Sequence, residues 1–256
     1  EKRYEKSLYC STLSFNYNRL HFNCLDVPGS SDAIAEAMTA LHAAECALVC
    51  IDANDGIKGN TRRMWRLAGQ RGISRIIAIT KLDAEAADFH SALEAIKAEF
   101  GNRCIPLFIP NGSSSSFTAL HSVLHDKEAS EEVKLAYEQV VEAIVETDDE
   151  LMENYLEGKE ISEANLLKAL KAALLHGSLF PVIPTAAEHE TGTRELLQFL
   201  SDLAPAPDEV ERIVYQDDEP VSEIGRASCR VLSAVAADEF SKPGEDSYGV
   251  VVVLID

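Results

Sequence analysis

The chain has no run of about eighteen consecutive apolar residues, the length a membrane-spanning helix needs. Its first residues, Glu1-Lys2-Arg3-Tyr4-Glu5-Lys6, have no apolar centre and so do not form a signal peptide. They also lack an initiator Met, and the chain is expected to begin mid-protein. Positive charge is scarce. Lys and Arg number 23 against 43 Asp and Glu, a formal net charge of −20. Surfaces that track phosphates are basic, so sequence-specific DNA binding is not expected, and RNA-rich partners are left only with local patches. Cysteine is present at six positions but lacks partners. Cys46 and Cys50 are four apart, yet no His or Cys pair elsewhere completes a zinc spacing. Most of the six lie in apolar strand-like runs and read as small buried hydrophobes. A reducing, cytoplasmic compartment fits that usage best.

What is present is ordinary for a globular protein. The 256 residues are 46% hydrophobic and 26% charged, enough for one large or two small domains. Leu8 to Tyr17 and Leu20 to Leu25 are β-rich runs either side of an Asn-Arg turn, the pattern of an antiparallel hairpin. A helix is expected over Ala33 to Ala44, with Asp32 as its N-cap. Cys46 to Asp52 is a continuous apolar run, as in a strand buried on both faces. Thr61 to Gln70 reads as helix, Ile76 to Ile79 as strand and Ala84 to Phe100 as an amphipathic helix. This alternation predicts an α/β fold with a mostly parallel sheet and flanking helices. Cys104 to Ile109 reads as one strand and Asn111 to Ser116 as a flexible Gly/Ser-rich loop. An acidic block of three helices follows, over Glu131 to Glu146, Asp148 to Leu156 and Ser162 to His176. Leu179 to Pro184 returns to strand and Thr191 to Leu203 to helix, stopped by Pro205-Ala206-Pro207. Beyond Asp208 only Val250 to Ile255 is strand-like. No internal repeat is visible.

Three short motifs could carry chemistry. In Cys24 to Asp32, a strand ends in Asp26 and turns through Pro28-Gly29 into a helix. An acid there can hold a magnesium-bound water, and the glycine lets a backbone N–H approach a phosphate. Such junctions also carry Asp, Pro and Gly for turn geometry alone. Thr80-Lys81-Leu82-Asp83 closes a buried strand, the end where ligands bind in open α/β sheets. Its Asp can accept from the N1–H and exocyclic amine of guanine, a donor pair adenine lacks. The bland alternative is a helix N-cap Asp beside a solvated Lys. Thr185-Ala186-Ala187 follows another strand with small residues, which leave room for a base.

Taken together, at the ends of three strands and in this order, the motifs resemble those of the P-loop GTPases. The resemblance narrows to the translational elongation factor G family and, within it, to elongation-factor-G-like paralogues. The stretch Val141 to Ser162 resembles the helical insert special to that family. Leu179-Phe180-Pro181-Val182, with Leu203 to Pro207, is similar to the end of its G domain. The resemblance implies a P-loop NTPase-type sheet and a monomeric cytoplasmic protein that binds GTP/GDP with Mg2+ and hydrolyses GTP on the ribosome, with no membrane partner. It implies that Asp26 holds magnesium through water and that the Gly29 N–H senses the γ-phosphate. Thr80, Lys81 and Asp83 would read guanine, Thr185, Ala186 and Ala187 would close over the base, and Ser7 is a candidate for the magnesium-binding position of switch I. The implied organisation is a partial G domain over 1–207, with its insert at about 104–178. A divergent tail follows over 208–256.

Three departures qualify the pattern. No G-x-x-x-x-G-K-[ST] occurs, so the N-terminal strand and P-loop of the fold are absent from this sequence. Ser30 stands where the main translocases have a water-positioning His, which points to slower hydrolysis or to a nucleotide sensor that scarcely hydrolyses. Thr80 replaces the commoner Asn. In this fold the strand before the P-loop lies mid-sheet, between the strands ending at Asp26 and Asp52. Its absence is expected to expose two apolar edges and leave the isolated chain molten or aggregated. The tail adds a further alternative. Glu223 to Arg230 resembles a translated sequencing adapter, so 208–256 is either the start of a β-barrel domain or an assembly artefact, and an inactive gene fragment is one reading of the whole chain.

Overall fold

A computed structural model describes residues 7–112, 114–207, 209–210, 214–216, 219–221 and 249–255. In chain order the elements are β1 (Ser11–Tyr17), β2 (Leu20–Val27), α1 (Ile34–Ala43), β3 (Cys46–Asp52), α2 (Gly59–Gln70), β4 (Ser74–Thr80) and α3 (Phe89–Phe100). There follow β5 (Cys104–Pro106), β6 (Phe108–Asn111), β7 (Ala119–Ser122), α4 (Glu131–Val145), α5 (Asp149–Leu156) and α6 (Glu163–Leu175). The last are β8 (Phe180–Pro184), α7 (Thr193–Leu203), β9 (Val214–Gln216), β10 (Glu219–Val221) and β11 (Gly249–Ile255). The adapter-like stretch Glu223 to Arg230, which includes Cys229, lies outside the described residues.

The main sheet has seven strands in the order β1-β2-β11-β3-β4-β8-β5. β1 is antiparallel to β2, and every other pairing is parallel. The α/β expectation holds, and the reason is visible in the strands. β3 and β4 are buried along most of their lengths, as apolar runs covered on both faces must be. α1 packs on β2 and β11, α2 on β3 and β4, α6 on β4, and α3 and α4 on β5. Fully buried Phe22, Met64, Ile76, Ile77, Ile96, Leu170 and Ile183 knit the layers into one core.

The expectation of two bare apolar edges is corrected. β11 lies between β2 and β3, parallel to both, with Ile255 opposite Val27 on one side and Val49 on the other. A valine-rich segment of strand propensity from the far end of the sequence thus takes the mid-sheet position. Ile255 itself is buried.

Local differences have local causes. The helix expected from Ala84 begins at Phe89, because Asp88 Oδ1 accepts from the Ser91 N–H at 2.6 Å and caps it there. Asp32 is not a cap. It lies in a single 3₁₀ turn, Ser31–Ala33, that precedes α1. The expected strand Cys104 to Ile109 is two strands in different sheets. Leu107 divides them, its N–H donating to the Val182 carbonyl and its own carbonyl accepting from the Val123 N–H. The Gly/Ser-rich stretch is the loop of the antiparallel β6–β7 hairpin. The three helices of the acidic block are α4, α5 and α6, capped by Ser130, Asp148 and Ser162, whose side chains each accept from a first-turn N–H. Among the described residues no helix is long and apolar enough to cross a membrane.

Candidate functional site

The carboxyl ends of the parallel strands converge on one rim of the sheet. Register places Asp52 opposite Thr80, Ile79 opposite Pro184 and Ile255 opposite Val27. The motif residues follow these strand ends, so Asp26–Ser30, Thr80–Asp83 and Thr185–Ala187 share that rim. Parallel strands carry their following loops to one side, which is why separated sequence segments meet here.

Two of the three loops are joined directly. Leu82 N–H donates to the Thr185 carbonyl at 3.3 Å. Thr185 N–H and its hydroxyl both donate to the Ile79 carbonyl, at 2.7 and 3.1 Å. The Thr185 side chain is spent in this buried double bond, so it fixes the loop. Ala186 exchanges backbone hydrogen bonds with Thr191 at 2.8 and 3.1 Å, closing the turn that carries Ala187. Gly192 makes that turn possible. Its φ is +79°, and a Cβ there would collide with the Pro184 carbonyl oxygen.

Lys81 is held in the left-handed region at φ +57°. Its Nζ reaches Asp52 Oδ2 at 2.7 Å. Asp52 Oδ1 accepts from the N–H groups of Asn54 and Asp55 at 2.9 and 3.1 Å. Burial pushes the Asp52 carboxyl up, but the Lys81 hydrogen bond, the two backbone donors and the Lys81 charge outweigh it and hold it below the usual carboxylate value. Lys81 therefore ties the β3 loop to the β4 loop. Asp83 is not a helix N-cap, since α3 is capped by Asp88. Its side chain is 11% exposed, and Oδ2 lies 3.6 Å from Nε2 of the exposed His189. A carboxylate so placed can accept from two neighbouring N–H donors of a planar base.

The third loop sits apart from these bonds. Asp26 is the penultimate residue of β2, exposed, opposite Ser11 and Leu254. Pro28 is buried and Gly29 exposed, with the Gly29 carbonyl accepting from Asn60 Nδ2 at 3.0 Å. Ser30 precedes the 3₁₀ turn without capping it, and its hydroxyl is buried with no hydrogen-bond partner among the described residues. Ser7 is exposed and stands before β1, whose first residue lies opposite Asp26.

The fit to the implied ligands differs by part. Asp83, the Lys81 tether and the Thr185–Ala187 turn suit a guanine base. Asp26 is an exposed hard-oxygen donor, the chemistry magnesium takes through water. Among the described residues no cluster of three or more His, Cys, Asp or Glu is arranged around a common metal position.

Sequence reasoning missed Asp52, Asn60, His189 and Gly192. Only Asp52 carried a usable signal, since it ends a buried apolar strand as Asp26 does. The other three are unremarkable in their local sequence, and only the meeting of loops gives them a place.

Comparison with known proteins identifies the family. The family model described as "Elongation factor Tu GTP binding domain" matches residues 1–206. An elongation factor G-like protein of Mycobacterium tuberculosis is 34% identical over 220 residues, covering 81% of this chain and 31% of its own length. Elongation factor G of Thermotoga maritima is 31% identical over 204 residues, covering 72% and 30%. The chain thus spans about a third of the length of the curated relatives it matches. A crystal structure of a Thermus thermophilus protein superposes with a TM-score of 0.75 at 31% identity, covering 81% of this chain and 34% of that one. The chain belongs to the family of the elongation factor Tu GTP-binding domain and, within it, to the translational GTPases of the elongation factor G group.

Proposed function

We propose that this chain is the guanine-nucleotide-binding part of an elongation-factor-G-like GTPase that works on the ribosome in the cytoplasm. The observation that carries the proposal is the joined pair of loops at the sheet rim. Leu82 bonds to Thr185, and the largely buried Asp83 carboxylate stands beside the Thr185–Ala187 turn. That combination pairs a charged acceptor with a close, small-residue wall, which is what discrimination of guanine from adenine requires.

In this reading Asp83 accepts from the guanine N1–H and amine, and Thr80 and Lys81 hold the loop that presents it. Ala186 and Ala187 leave room for the base. Asp26 holds magnesium through water, Gly29 offers its N–H to the terminal phosphate, and Ser7 is the weaker candidate for a second magnesium contact. Magnesium, when bound, neutralises charge on the phosphate oxygens. The chain's own share of hydrolysis is positioning and charge stabilisation.

A second reading, a nucleotide sensor with little hydrolysis, is favoured by Ser30. Its hydroxyl is turned into the protein and unpartnered among the described residues. It is also shorter than an imidazole, so it is poorly placed to orient an attacking water.

The test is displacement of a fluorescent guanosine diphosphate analogue from the chain and from Asp83→Ala. Loss of two charge-assisted hydrogen bonds predicts a fall in affinity of about a hundredfold or more, with no gain for adenine nucleotides. Equal affinity in the variant would sink the assignment of Asp83. Single-turnover hydrolysis with ribosomes separates the GTPase from the sensor, since a rate no faster with ribosomes than without them supports the sensor.

A further inference from the structure

The opposite end of the sheet holds a second site, built around Arg75 near the amino end of β4. Its guanidinium carbon lies 4.5 Å from the Trp65 ring centroid and 4.2 Å from that of Phe180. Two glycines leave space for it. A Cβ at Gly69 would stand 2.8 Å from Arg75 Nη1, and one at Gly177 would stand 3.4 Å from Nη2. Arg75 Nε is buried and makes no hydrogen bond among the described residues. A cavity of about 500 Å³ opens beside it, lined by Arg62, Trp65, Arg66, Arg75, Glu99 and Phe100. Arg62 Nε pairs with Glu99 Oε1 at 2.9 Å. Arg66 and Arg75 make no ion pair among the described residues.

The charge here runs against the rest of the chain. α2 carries Arg62, Arg63 and Arg66 and no acidic residue, in a chain of net charge −20. Arg62 lies in the first turn of α2, where the helix dipole disfavours a cation, and Arg66 lies mid-helix, where the dipole gives no reason for one. Guanidinium forks match phosphate oxygens in a bidentate geometry. Phe100, stacked on Trp65 at 4.3 Å, is partly exposed and offers a flat apolar surface beside the cations. Cations next to an aromatic face are the pairing that binds a nucleic-acid backbone with its bases. An acidic peptide would use the cations but not the ring, and would meet Glu99 at the rim.

We propose that this cavity binds the phosphodiester backbone of RNA and is the local basic patch through which an acidic protein meets a ribonucleoprotein. The choice of RNA rests on the ribosomal reading above, whereas the phosphate chemistry stands without it.

The experiment is fluorescence anisotropy of a short labelled single-stranded RNA against the full chain, Arg66→Glu and Arg75→Lys, over a salt series. Removing one phosphate contact is expected to weaken binding about tenfold and to reduce the log–log salt slope by about one. Arg75→Lys keeps the charge but loses the fork, and weakens binding if the fork is what grips phosphate. If that variant fails to fold by circular dichroism, Arg66→Glu decides alone. Unchanged RNA affinity in Arg66→Glu overturns the proposal. So does polyglutamate that displaces the RNA at equal concentration, which would assign the cavity to an acidic protein. Inorganic phosphate that competes as tightly as the RNA overturns it in favour of a free anion. Guanine-nucleotide binding by the unmodified chain is measured separately. Its absence with RNA binding intact refutes the proposed function and supports the cavity on its own.

Discussion

Lys81 Nζ sits 2.7 Å from Asp52 Oδ2, joining the ends of two adjacent parallel strands. The Lys81 side chain is 69% exposed while that of Asp52 is 13% exposed, so the pair is half in water. That limits its contribution to about 1 kcal/mol or less. Its larger effect is on protonation. Because the folded carboxyl of Asp52 is held below its ordinary value, its contribution to stability is complete above about pH 4 and fades as pH falls through the lowered value. Lys81→Met is expected to raise the Asp52 pKa and move the acid-unfolding limb to higher pH. Carboxyl NMR titration of Asp52 checks this, and an unmoved titration would show that Asn54 and Asp55 suffice.

Gly192→Ala tests the turn that carries Thr185 to Ala187, the residues proposed to close over the base. The φ of +79° and the contact with the Pro184 carbonyl both oppose a side chain. A destabilisation of about 2 to 3 kcal/mol is expected in urea unfolding. Guanine-nucleotide affinity should fall with it, because Thr185 and Ala186 are held through the same turn.

The mid-sheet place of β11 predicts that the whole chain melts cooperatively, in contrast to a sheet with two open apolar edges. Ending the chain at residue 248 would uncover the edges of β2 and β3. Aggregation or loss of the sharp melt is expected for that truncation. A truncated chain as cooperative as the full one would show that β11 is dispensable.

Thiol reactivity reports the packing of the sheet. Burial pushes Cys24 up to about 11 and Cys104 up to about 12, and pushes the fully buried Cys46 up as well. The thiolate is the reactive form, so these three should resist iodoacetamide at pH 8 until the protein unfolds. Cys50, partly exposed, should react before these three, and so should Cys10, partly exposed although burial and the nearby Glu36 and Asp26 raise its thiol. Mass spectrometry of timed samples reads the order.

Much of the fold was legible because its signals are local. Cys46 to Asp52 and Ile76 to Ile79 are apolar runs that suit a doubly covered strand, and the three helices of the acidic block were placed to within a residue of α4, α5 and α6. The start of α3 was not, because Ala84 to Ala87 are helix-compatible residues and the Asp88 cap decides the boundary. The candidate site was legible as three motifs at strand ends. Its internal bonds were not, because Asp52, His189 and Gly192 gain meaning only across distances of many residues.

The sequence by itself therefore determined the alternating α/β pattern, the residues at the strand ends and the family those residues belong to, since hydrophobic period and turn chemistry act over a few positions. Only the tertiary structure decided that Lys81 closes on Asp52, that Thr185 is a structural anchor, and that Arg75 rests against both Trp65 and Phe180, which meet edge to face. It also decided which segment fills the gap between β2 and β3. Strand pairing in a parallel sheet is a non-local choice, made by whichever apolar segment can satisfy both neighbouring backbones, and here that segment is Gly249–Ile255.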